Sequence, residues 1–516
     1  MPTFGFVIDN RKCIGCHACT VACKSEHQVP VGVDRTWVKY VEKGAFPNSR
    51  RYFSVMRCNH CDWAPCVTIC PVTALYRRAD GVVDFNSDRC IGCKSCIQAC
   101  PYDALYIDPE KNTAAKCNFC THRLEAGLQP SCVVVCPEQA IIAGDMDDPT
   151  TEISRLLDRF PVQVRKPEKE TRPKLYYIEA DQASLVPTQT TADGRSMWSR
   201  GAYTTTDGKP AELNGADSGR RLSLDVVSSS TEARRAYDVR PRAPSWGWEV
   251  VAYTWTKSIA AGAFLATAAA RVLAGAGAAE RVGLALGTIA LVFLAITAGL
   301  LVADLKQPRR FLYVLLRPQW RSWLVRGAYA LTAYGALLSV WFVATMIGAR
   351  SLADTLIWPG VILAVITAIY TAFLFAQAKG RDFWQNPLLS IHLLAHALLA
   401  GSAIWLIVDT ILATEPASAA RWSLVATLIL SAVTLLAEIL TTPPTADAHR
   451  AMRWIIGRPM GRWFWIAGLG MGHVVPLLLL ATAIPAFGAL AGVVALAGLF
   501  VIEWLWVLAP QHVPLS

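Results

Sequence analysis

The sequence has no cysteine beyond residue 136, although the chain is 516 residues long and contains sixteen of them. All sixteen lie between Cys13 and Cys136. The first 245 residues lack the long apolar runs that make up most of the remaining sequence. This segregation indicates a water-soluble half followed by a membrane half.

Motifs for substrate chemistry are also missing. We find no activated nucleophile, molybdopterin motif, nucleotide-binding loop or flavin fingerprint. The substrate reaction is therefore expected on a partner subunit, and whether this chain is an enzyme by itself stays open. A net charge of +10 could indicate nucleic acid, but the positive-inside bias of a membrane protein explains it better. We expect no nucleic-acid partner.

The N-terminus, MPTFGFVIDNRKC, has no apolar stretch of signal-peptide length and no paired arginines before one. We therefore expect the N-terminal domain to stay on the cytoplasmic side of a bacterial inner membrane.

The cysteines form four motifs, three of which are followed directly by proline. Their spacings are C-x2-C-x2-C-x3-C, C-x2-C-x4-C-x3-C, C-x2-C-x2-C-x3-C and C-x2-C-x11-C-x3-C. In chain order their members are Cys13, Cys16, Cys19 and Cys23; Cys58, Cys61, Cys66 and Cys70; Cys90, Cys93, Cys96 and Cys100; and Cys117, Cys120, Cys132 and Cys136.

This spacing is typical of bacterial ferredoxins, in which three close thiolates hold one cubane and the fourth ligates its neighbour. Zinc is the first alternative, but zinc sites usually pair two short knuckles and need no third and fourth cysteine at this spacing. A disulfide framework is weaker still without an export signal. Sixteen ligands predict four [4Fe–4S] clusters with no cysteine left over.

The segments after two of the motifs have the same design. Residues 74–86, ALYRRADGVVDFN, alternate around Ala79-Asp80-Gly81 and predict a hairpin. Residues 104–117, ALYIDPEKNTAAKC, repeat that pattern. The sequence thus predicts a duplicated α+β ferredoxin unit, closed by a strand in PKLYYIEA at 173–180.

Residues 1–188 resemble the four-cluster electron-transfer subunits of DMSO-reductase-type molybdoenzyme complexes. The resemblance implies a molybdopterin-containing catalytic partner and a shared ligation of clusters by distant motifs. It implies four ligand sets: Cys13, Cys16, Cys19 with Cys136; Cys117, Cys120, Cys132 with Cys23; Cys58, Cys61, Cys66 with Cys100; and Cys90, Cys93, Cys96 with Cys70. The first motif departs from the pattern because Lys24, not proline, follows Cys23.

Residues 189–245 are polar and lack apolar periodicity, so they predict an irregular tether or plain disorder. Residues 246–516 contain apolar runs of spanning length, many with tryptophan at their ends. We count eight, at approximately 249–274, 282–303, 327–348, 357–377, 388–412, 422–441, 463–484 and 486–508. The predicted fold is an α+β ferredoxin-like domain fused to an all-α integral membrane domain of eight transmembrane helices.

The orientation of these spans follows from basic residues in short loops. The loops after spans two, four and six carry twelve Lys or Arg residues, whereas the opposite side carries Arg271, Arg281, Arg350 and Arg421. The richer side should be cytoplasmic, together with the ferredoxin domain.

The membrane half resembles the NrfD-type membrane subunits of polysulfide reductases, which interact with quinones. The matching segments are DLKQPRRF at 304–311, GRDFWQNPLL at 380–389, and Glu438 with TTPPTADAHRAMR at 441–453. The resemblance implies the quinone pool and the lipid bilayer as partners, with ubiquinone or menaquinone as substrate.

Ionisable residues inside the spans are costly and therefore point to function. A quinone needs polar contacts and proton donors near the last cluster. Lys257 and Asp304 are the predicted contacts, with Tyr329 or Tyr334 as hydroxyl donors; a structural Lys257–Asp304 ion pair is the alternative. A second set predicts a proton path: His392, His396, Glu438 and His473. We expect no haem, because His392 and His396 lie on one face of one helix.

The sequence therefore predicts a respiratory electron-transfer and membrane-anchor subunit. It would link the quinone pool through four [4Fe–4S] clusters to a molybdopterin oxidoreductase. Two alternatives remain open, a redox-driven proton-translocating module and a structural anchor without a quinone site.

Overall fold

The computed structural model describes residues 2–44, 47–192, 233–239, 243–412, 418–482 and 484–516. Its first part is an α+β domain that contains every cysteine, and its second part is an all-α bundle. This arrangement confirms the predicted fold class.

Two four-stranded sheets and two short hairpins form the first part. The strands are β1 Phe4–Asp9, β2 Thr36–Lys43, β3 Arg50–Arg57, β4 Leu75–Arg77, β5 Val83–Phe85, β6 Tyr106–Ile107, β7 Ala114–Ala115, β8 Ile141–Asp145, β9 Val162–Gln163, β10 Leu175–Ile178, β11 Thr191–Ala192 and β12 Arg234–Tyr237. One sheet has the order β8-β1-β10-β9, and the other β11-β12-β2-β3.

Strand β10 closes the first sheet, as the sequence predicted for 173–180. It pairs in parallel with β1, with Phe6 opposite Leu175, while β8 pairs antiparallel on the other side of β1. Both neighbours of β1 are apolar, so Phe6, Ile8 and Leu175 are buried in one core with Cys19 and Cys132. This sheet therefore forms one wall around the cysteine loops.

The predicted duplication is present as two hairpins. Strands β4 and β5 pair antiparallel around Gly81, whose positive φ of 76° a glycine adopts without strain. Strands β6 and β7 repeat the arrangement after the next cysteine motif. The hairpins confirm the sequence prediction for 74–86 and 104–117.

Short helices lie between the strands, and the first five of them lie within or directly after the cysteine motifs. They are α1 Ala18–His27, α2 Pro65–Ile69, α3 Ser95–Ala99, α4 Thr121–Leu124, α5 Ser131–Val134, α6 Glu152–Arg159 and α7 Gln182–Leu185. Single 3-10 turns cover Pro167–Lys169, Pro187–Gln189, Pro308–Arg310, Asp382–Gln385 and Ala509–His512.

The segment 189–245 was predicted as an irregular tether, and most of it lies outside the described residues. Its described end, however, contains a strand. Strand β12 pairs antiparallel with β2, so it occupies an edge that would otherwise expose unpaired backbone groups. Tertiary hydrogen bonding rather than local apolar periodicity makes this strand.

The described part of the bundle contains eight long helical segments. They are α8 Trp248–Leu273, α9 Ala276–Ala303, α11 Trp323–Met346, α12 Arg350–Gln377, α13 Leu389–Leu412, α14 Ser418–Leu440, a π-helix Trp463–Val474 that continues as α16 Val475–Ala481, and α17 Pro485–Leu508. Two shorter helices, α10 Tyr313–Leu316 and α15 Ala446–Ile456, lie between them.

Seven helices in the described part of the chain are long and apolar enough to cross a membrane, one fewer than predicted. The exception is α8. It carries Glu249, Lys257 and Arg271 among its 26 residues, together with several threonines, which lower its hydropathy. Most of α8 is buried against α9, α12, α13 and α17, so a helix enclosed by others does not need a lipid-facing composition.

Small residues let α8 approach its neighbour closely. Gly262 of α8 and Gly401 of α13 face each other, and a Cβ at either position would collide with the opposing backbone. Close backbone approach through small residues is typical of helix packing in membranes. Helix α8 is thus a central element of the bundle.

The ferredoxin domain lies on one end of this bundle. It contacts the loops after α9 and α12 and the C-terminal segment, which are on the side where the sequence places most basic loop residues. One apolar core joins the halves, because Val314, Val325 and Leu374 pack with Ile69 and Leu105.

Candidate electron-transfer line and buried polar cluster

The sixteen cysteines converge into four groups of four. Three groups each line one cavity. In the remaining one, Cys23 interacts electrostatically with three others. We name them the distal group, Cys13, Cys16, Cys19 and Cys136; the second group, Cys23, Cys117, Cys120 and Cys132; the third group, Cys58, Cys61, Cys66 and Cys100; and the membrane-side group, Cys70, Cys90, Cys93 and Cys96. These are the four sets that the resemblance implies.

The backbone explains why CIGC occurs twice in the sequence. Gly15 and Gly92 have φ of 70° and 69°, and the second residue after each has φ of 61° or 62°. Helices α1 and α3 begin directly after these turns. The two motifs therefore fold into the same loop, which presents three thiols to one cavity.

The donor set fits a cubane better than a single metal ion. Among the described residues, no cluster of three or more His, Cys, Asp or Glu is placed to hold one ion. Burial raises the pKa of the Cys13 and Cys19 thiols to about 11 and that of Cys117 to about 12. Buried thiols in this state need cationic iron to become thiolate ligands. Four thiols around each cavity match the ligation of a [4Fe–4S] cluster.

Each of the four groups lies next to the following one, and we call this series the line. Cys19 of the distal group interacts with Cys132 of the second, and Cys117 of the second with Cys58 of the third. Cys96 of the membrane-side group interacts with Cys66 of the third. At the other end of the line, Cys16 is exposed to solvent. The line therefore runs from the surface of the ferredoxin domain to the bundle.

The membrane-side group rests on the loop that follows α9. Backbone N–H groups of Lys306 and Gln307 donate to the carbonyls of Gly92 and Ile91, at 3.4 and 3.1 Å. Trp246 Nε1 donates to the carbonyl of Cys93 at 3.1 Å. These bonds fix the cysteine loop against the entrance of the bundle.

A second contact lies beneath the third group. Gly380 N donates to the carbonyl of Gln98 at 3.1 Å, and Arg381 Nε donates to the side-chain oxygen of Gln98 at 2.8 Å. A Cβ at Gly380 would collide with the carbonyls of Gln98 and Cys100, so only glycine permits this approach.

Inside the bundle, two histidines of α13 form hydrogen-bonded pairs with carboxylates. His392 Nδ1 lies 2.9 Å from Glu438 Oε2, and His396 Nδ1 lies 2.9 Å from Glu503 Oε1. The two imidazole rings are 4.0 Å apart, and Trp506 Nε1 donates to Glu438 Oε2 at 3.1 Å. All five side chains are buried. We call these five residues the polar cluster.

Three atoms of the polar cluster have no hydrogen-bond partner among the described residues: His392 Nε2, His396 Nε2 and Glu438 Oε1. Buried polar atoms are nearly always paired in proteins, by protein groups or by water. The unpaired atoms are therefore places where water or a substrate oxygen can bind.

Comparison with known proteins matches both halves of the sequence. A family model for a 4Fe–4S dicluster domain matches residues 50–146, and one for polysulphide reductase, NrfD, matches residues 239–514. The NrfD model covers more than half of the sequence. This protein belongs to the NrfD polysulphide reductase family.

Other relatives match the iron–sulfur half of the chain, which lies outside the NrfD domain. A tetrathionate reductase subunit of Salmonella typhimurium is 45% identical over 188 residues, which cover 36% of this chain and 75% of the relative. A polysulfide reductase subunit of Wolinella succinogenes is 42% identical over 180 residues, 34% of this chain and 93% of the relative. A putative dimethyl sulfoxide reductase iron–sulfur subunit of Halobacterium salinarum is 34% identical over 275 residues, which cover 48% of this chain and 97% of the relative.

This chain is thus an iron–sulfur electron-transfer subunit fused to an NrfD membrane anchor. Its NrfD domain supplies the loop 304–311 to the membrane-side group and the loop at Gly380 to the third group. Both loops belong to segments on which the sequence resemblance rests, and the structure gives them a docking role.

The predicted quinone contacts each have different hydrogen-bond partners in the NrfD domain. Lys257 Nζ donates to the Ala368 carbonyl at 2.7 Å and to Thr371 Oγ1 at 2.9 Å. Tyr329 and Tyr334 donate to the carbonyls of Leu315 and Ala260, each at 2.8 Å. Their role at a quinone stays a prediction.

Asp304, the fourth predicted contact, pairs with Lys94 of the ferredoxin domain at 2.6 Å. The alternative ion pair between Lys257 and Asp304 was therefore wrong. Lys94, the partner of the Asp304 carboxylate, lies in a loop 210 residues away in the sequence. No local sequence pattern could indicate this pair.

The predicted proton-path residues, unlike the predicted quinone contacts, lie next to one another. His392, His396 and Glu438 are members of the polar cluster, and His473 interacts electrostatically with His396. His473 lies in the π-helical segment, where its ring contacts Ser431 Oγ at 2.9 Å and the Gly468 carbonyl at 3.0 Å.

Sequence reasoning did not assign roles to Glu503, Trp506 or Lys94. Glu503 was recognisable as a charge near the end of the last span, and such charges point to function. It pairs with His396 and interacts with Lys257, so it joins Lys257 to the polar cluster. Trp506 was interpreted only as one of the tryptophans at the ends of the spans, and Lys94 carried no signal in the sequence.

Proposed function

We propose that this chain carries four [4Fe–4S] clusters, one in each cysteine group, and moves electrons between a quinone and a molybdopterin-containing catalytic subunit. The observation that carries the proposal is the line of groups from exposed Cys16 to the loops of the NrfD domain. Every cysteine of the sequence then has a ligand role.

The catalytic subunit would bind at the distal end of the line. Exposed Ile14, Val21 and Val134 lie on the loop and helices that carry cysteines of the distal and second groups, so this end of the domain exposes apolar side chains together with Cys16. The names of the relatives, which are subunits of tetrathionate, polysulfide and dimethyl sulfoxide reductases, support a reductase partner.

The quinone would be reduced or oxidised in the NrfD domain near the membrane-side group. Quinone chemistry needs hydrogen-bond partners for two ring oxygens and a source of protons. Lys257 is fully buried within the bundle and interacts with Glu503 of the polar cluster. We assign Lys257 as the polar contact for the ring and the polar cluster as its proton source. Asp304, Tyr329 and Tyr334 would border the path towards the clusters.

The test compares Lys257→Met with Ser402→Ala in proteoliposomes containing the complex. Ser402 is also a buried polar residue, but it pairs with Ser423 outside the polar cluster. Quinone-linked electron transfer should slow by about tenfold to a thousandfold in Lys257→Met and stay unchanged in Ser402→Ala. Cluster reduction by a soluble dye should be equal in both. Normal quinone activity in Lys257→Met with full iron content would contradict the assignment.

A second candidate function is proton translocation driven by the same electrons. The unpaired atoms of His392, His396 and Glu438 favour it, because they leave places for water along α13. The measurement is proton release into the external buffer of proteoliposomes during turnover. If protons are pumped through Glu438, Glu438→Gln should lower the number of protons released for each electron transferred. Wild-type release no greater than the quinone reaction itself accounts for would exclude this candidate.

The proposed location is the inner membrane of a bacterium with the ferredoxin domain in the cytoplasm. Support comes from the basic loop residues on the docking side of the bundle. A fluorescent reporter fused after Ser516 should fluoresce, whereas a phosphatase at the same place should be inactive. An active phosphatase would mean that the domain is exported.

A further inference from the structure

Arg57 is a buried cation between two cysteine groups. It ends strand β3, immediately before Cys58, and its side chain is 0% exposed. Its guanidinium lies over the ring of Phe6, 4.7 Å from the ring centroid. The apolar core around β1 therefore encloses the charge, which water does not reach.

The guanidinium contacts sulfur rather than a carboxylate. Its Nη1 donates to Cys132 Sγ of the second group at 3.0 Å. It also interacts electrostatically with Cys117 of the same group and with Cys19 of the distal group. Within the described part of the chain, Arg57 forms no ion pair, and its Nε and Nη2 have no hydrogen-bond partner.

An unpaired cation in a protein interior costs several kcal/mol, so such a group needs a counter-charge. Arg57 differs here from Lys94 and Lys174, which contact Asp304 and Asp62. The negative groups around Arg57 are the thiolates of two cysteine groups. A cubane with four thiolate ligands is anionic, and accepting one electron makes it more so.

We propose that Arg57 sets the reduction potentials of the clusters in the second and distal groups, holding them higher than they would be without it. The inference rests on the proposed function, because it requires clusters in these groups. A nearby cation and an N–H···S bond both stabilise the reduced, more negative form of a cluster. Arg57 acts on the clusters through their cysteine ligands and transfers no electron or proton itself.

The test is an electron-paramagnetic-resonance redox titration of the purified full chain, with iron content measured on the same samples. Arg57→Met should move one or two of the midpoint potentials downward and leave those of the third and membrane-side clusters in place. Arg57→Lys, which keeps the charge but not the planar fork, should give a smaller downward shift.

Arg165→Met is the matched control. Arg165 is equally buried, but its Nε donates to the Leu185 carbonyl at 2.8 Å. Every midpoint potential should be unchanged in this variant. A general effect of removing a buried arginine would shift potentials in the control as well, and would overturn the proposal.

Full iron content in Arg57→Met with wild-type potentials would also overturn the role of Arg57 while leaving the electron-transfer function intact. If Arg57→Met loses iron, Arg57→Lys decides: a downward shift supports the proposal, and wild-type potentials overturn it. A wild-type chain with fewer than four iron–sulfur centres would instead contradict the proposed function.

Discussion

The ammonium group of Lys94 lies 2.6 Å from Asp304 Oδ1, which joins a cysteine loop of the ferredoxin domain to the end of a membrane helix. Both side chains are only 9% exposed. Asp304 follows the C-terminus of α9, where the helix dipole disfavours a negative charge, so Lys94 offsets that cost. The pair thus holds the membrane-side group on the NrfD domain.

Asp304→Leu should loosen this contact, because it leaves the ammonium group of Lys94 buried without a partner. Breaking a buried pair on one side costs about 3–5 kcal/mol, whereas removing both charges is often neutral. Hydrogen exchange of the loop 90–96 should therefore speed up in Asp304→Leu and recover in the double variant with Lys94→Met.

The control for that experiment is Asp354→Asn. Asp354 pairs with Arg271 at 2.6 Å, but both side chains are about one-third exposed or more, and such surface pairs contribute about 0–1 kcal/mol. Exchange in the loop 90–96 should be unaffected. Equal exchange in Asp304→Leu and Asp354→Asn would show that the buried pair does not hold the domains together.

Iron content tests the ligand sets. The wild-type chain should hold about sixteen iron atoms, four for each group. Cys136→Ala removes the fourth thiol of the distal group, so iron should fall to about twelve. The resonance lost should be that of one of the two centres whose potentials Arg57 affects, and not that of the centre next to the NrfD domain. About four zinc ions with little iron would contradict the cluster assignment.

Removal of residues 513–516 should weaken the docking of the two domains. Lys39 Nζ donates to the Ser516 carbonyl at 2.5 Å, Lys166 Nζ to that of Leu515 at 3.1 Å, and Arg381 Nη1 to that of Val513 at 2.5 Å. The truncation removes an acceptor from each of these cations. Lys39 keeps Asp238, and Arg381 keeps Gln98 and the Pro510 carbonyl. Buried Lys166 loses its acceptor, which costs about 1–3 kcal/mol.

Hydrogen exchange in β2 and around Lys166 should accelerate after the truncation. Ser516→Ala is the milder control, since it removes only the contact from Ser516 Oγ to Asp103 at 3.1 Å. If the truncated protein exchanges at the wild-type rate, the C-terminal segment does not contribute to docking.

The stability of the protein should rise with pH above about 8 because of Lys166. Burial lowers the pKa of Lys166 from 10.5 to about 8, so the unfolded state holds more protons than the folded state between these values. The gain is at most about 1.4 kcal/mol per pH unit. The unfolding temperature is measured at pH 7.0 and 9.5, which are about one pH unit or more below and above the pKa of Lys166 in the folded state. It should rise between these pH values in the wild type and rise less in Lys166→Met. Identical pH dependence in both would rule out Lys166 as its source.

The sequence was most informative where chemistry requires fixed local spacing. Three cysteines within one tight loop must face one cavity, so CIGCHAC and CIGCKSC predicted equivalent loops that Gly15 and Gly92 now explain. The pairing of distant motifs came from the resemblance alone. The order of the groups could not be predicted, because it depends on how loops far apart in sequence pack together.

The membrane half shows the corresponding limit. Apolar length predicted seven spans that the structure supports, since lipid-facing helices must be apolar along most of their surface. Helix α8 was counted as an eighth, but a helix enclosed by other helices follows the polarity of its neighbours. Likewise, the position of Lys257 deep within a predicted span showed that burying its charge is costly. The sequence could not identify its hydrogen-bond acceptors, the Ala368 carbonyl and Thr371, because they lie on a different helix, α12.

By itself, the sequence determined the two-part architecture, the iron–sulfur chemistry and the list of buried ionisable residues, because each follows from local composition and spacing. The tertiary structure alone decided which charge faces which. It paired Asp304 with Lys94, joined His396 to Glu503 and placed Arg57 between two cysteine groups. Electrostatic partners depend on distances of a few ångströms between segments up to hundreds of residues apart, and only the packed chain fixes those distances.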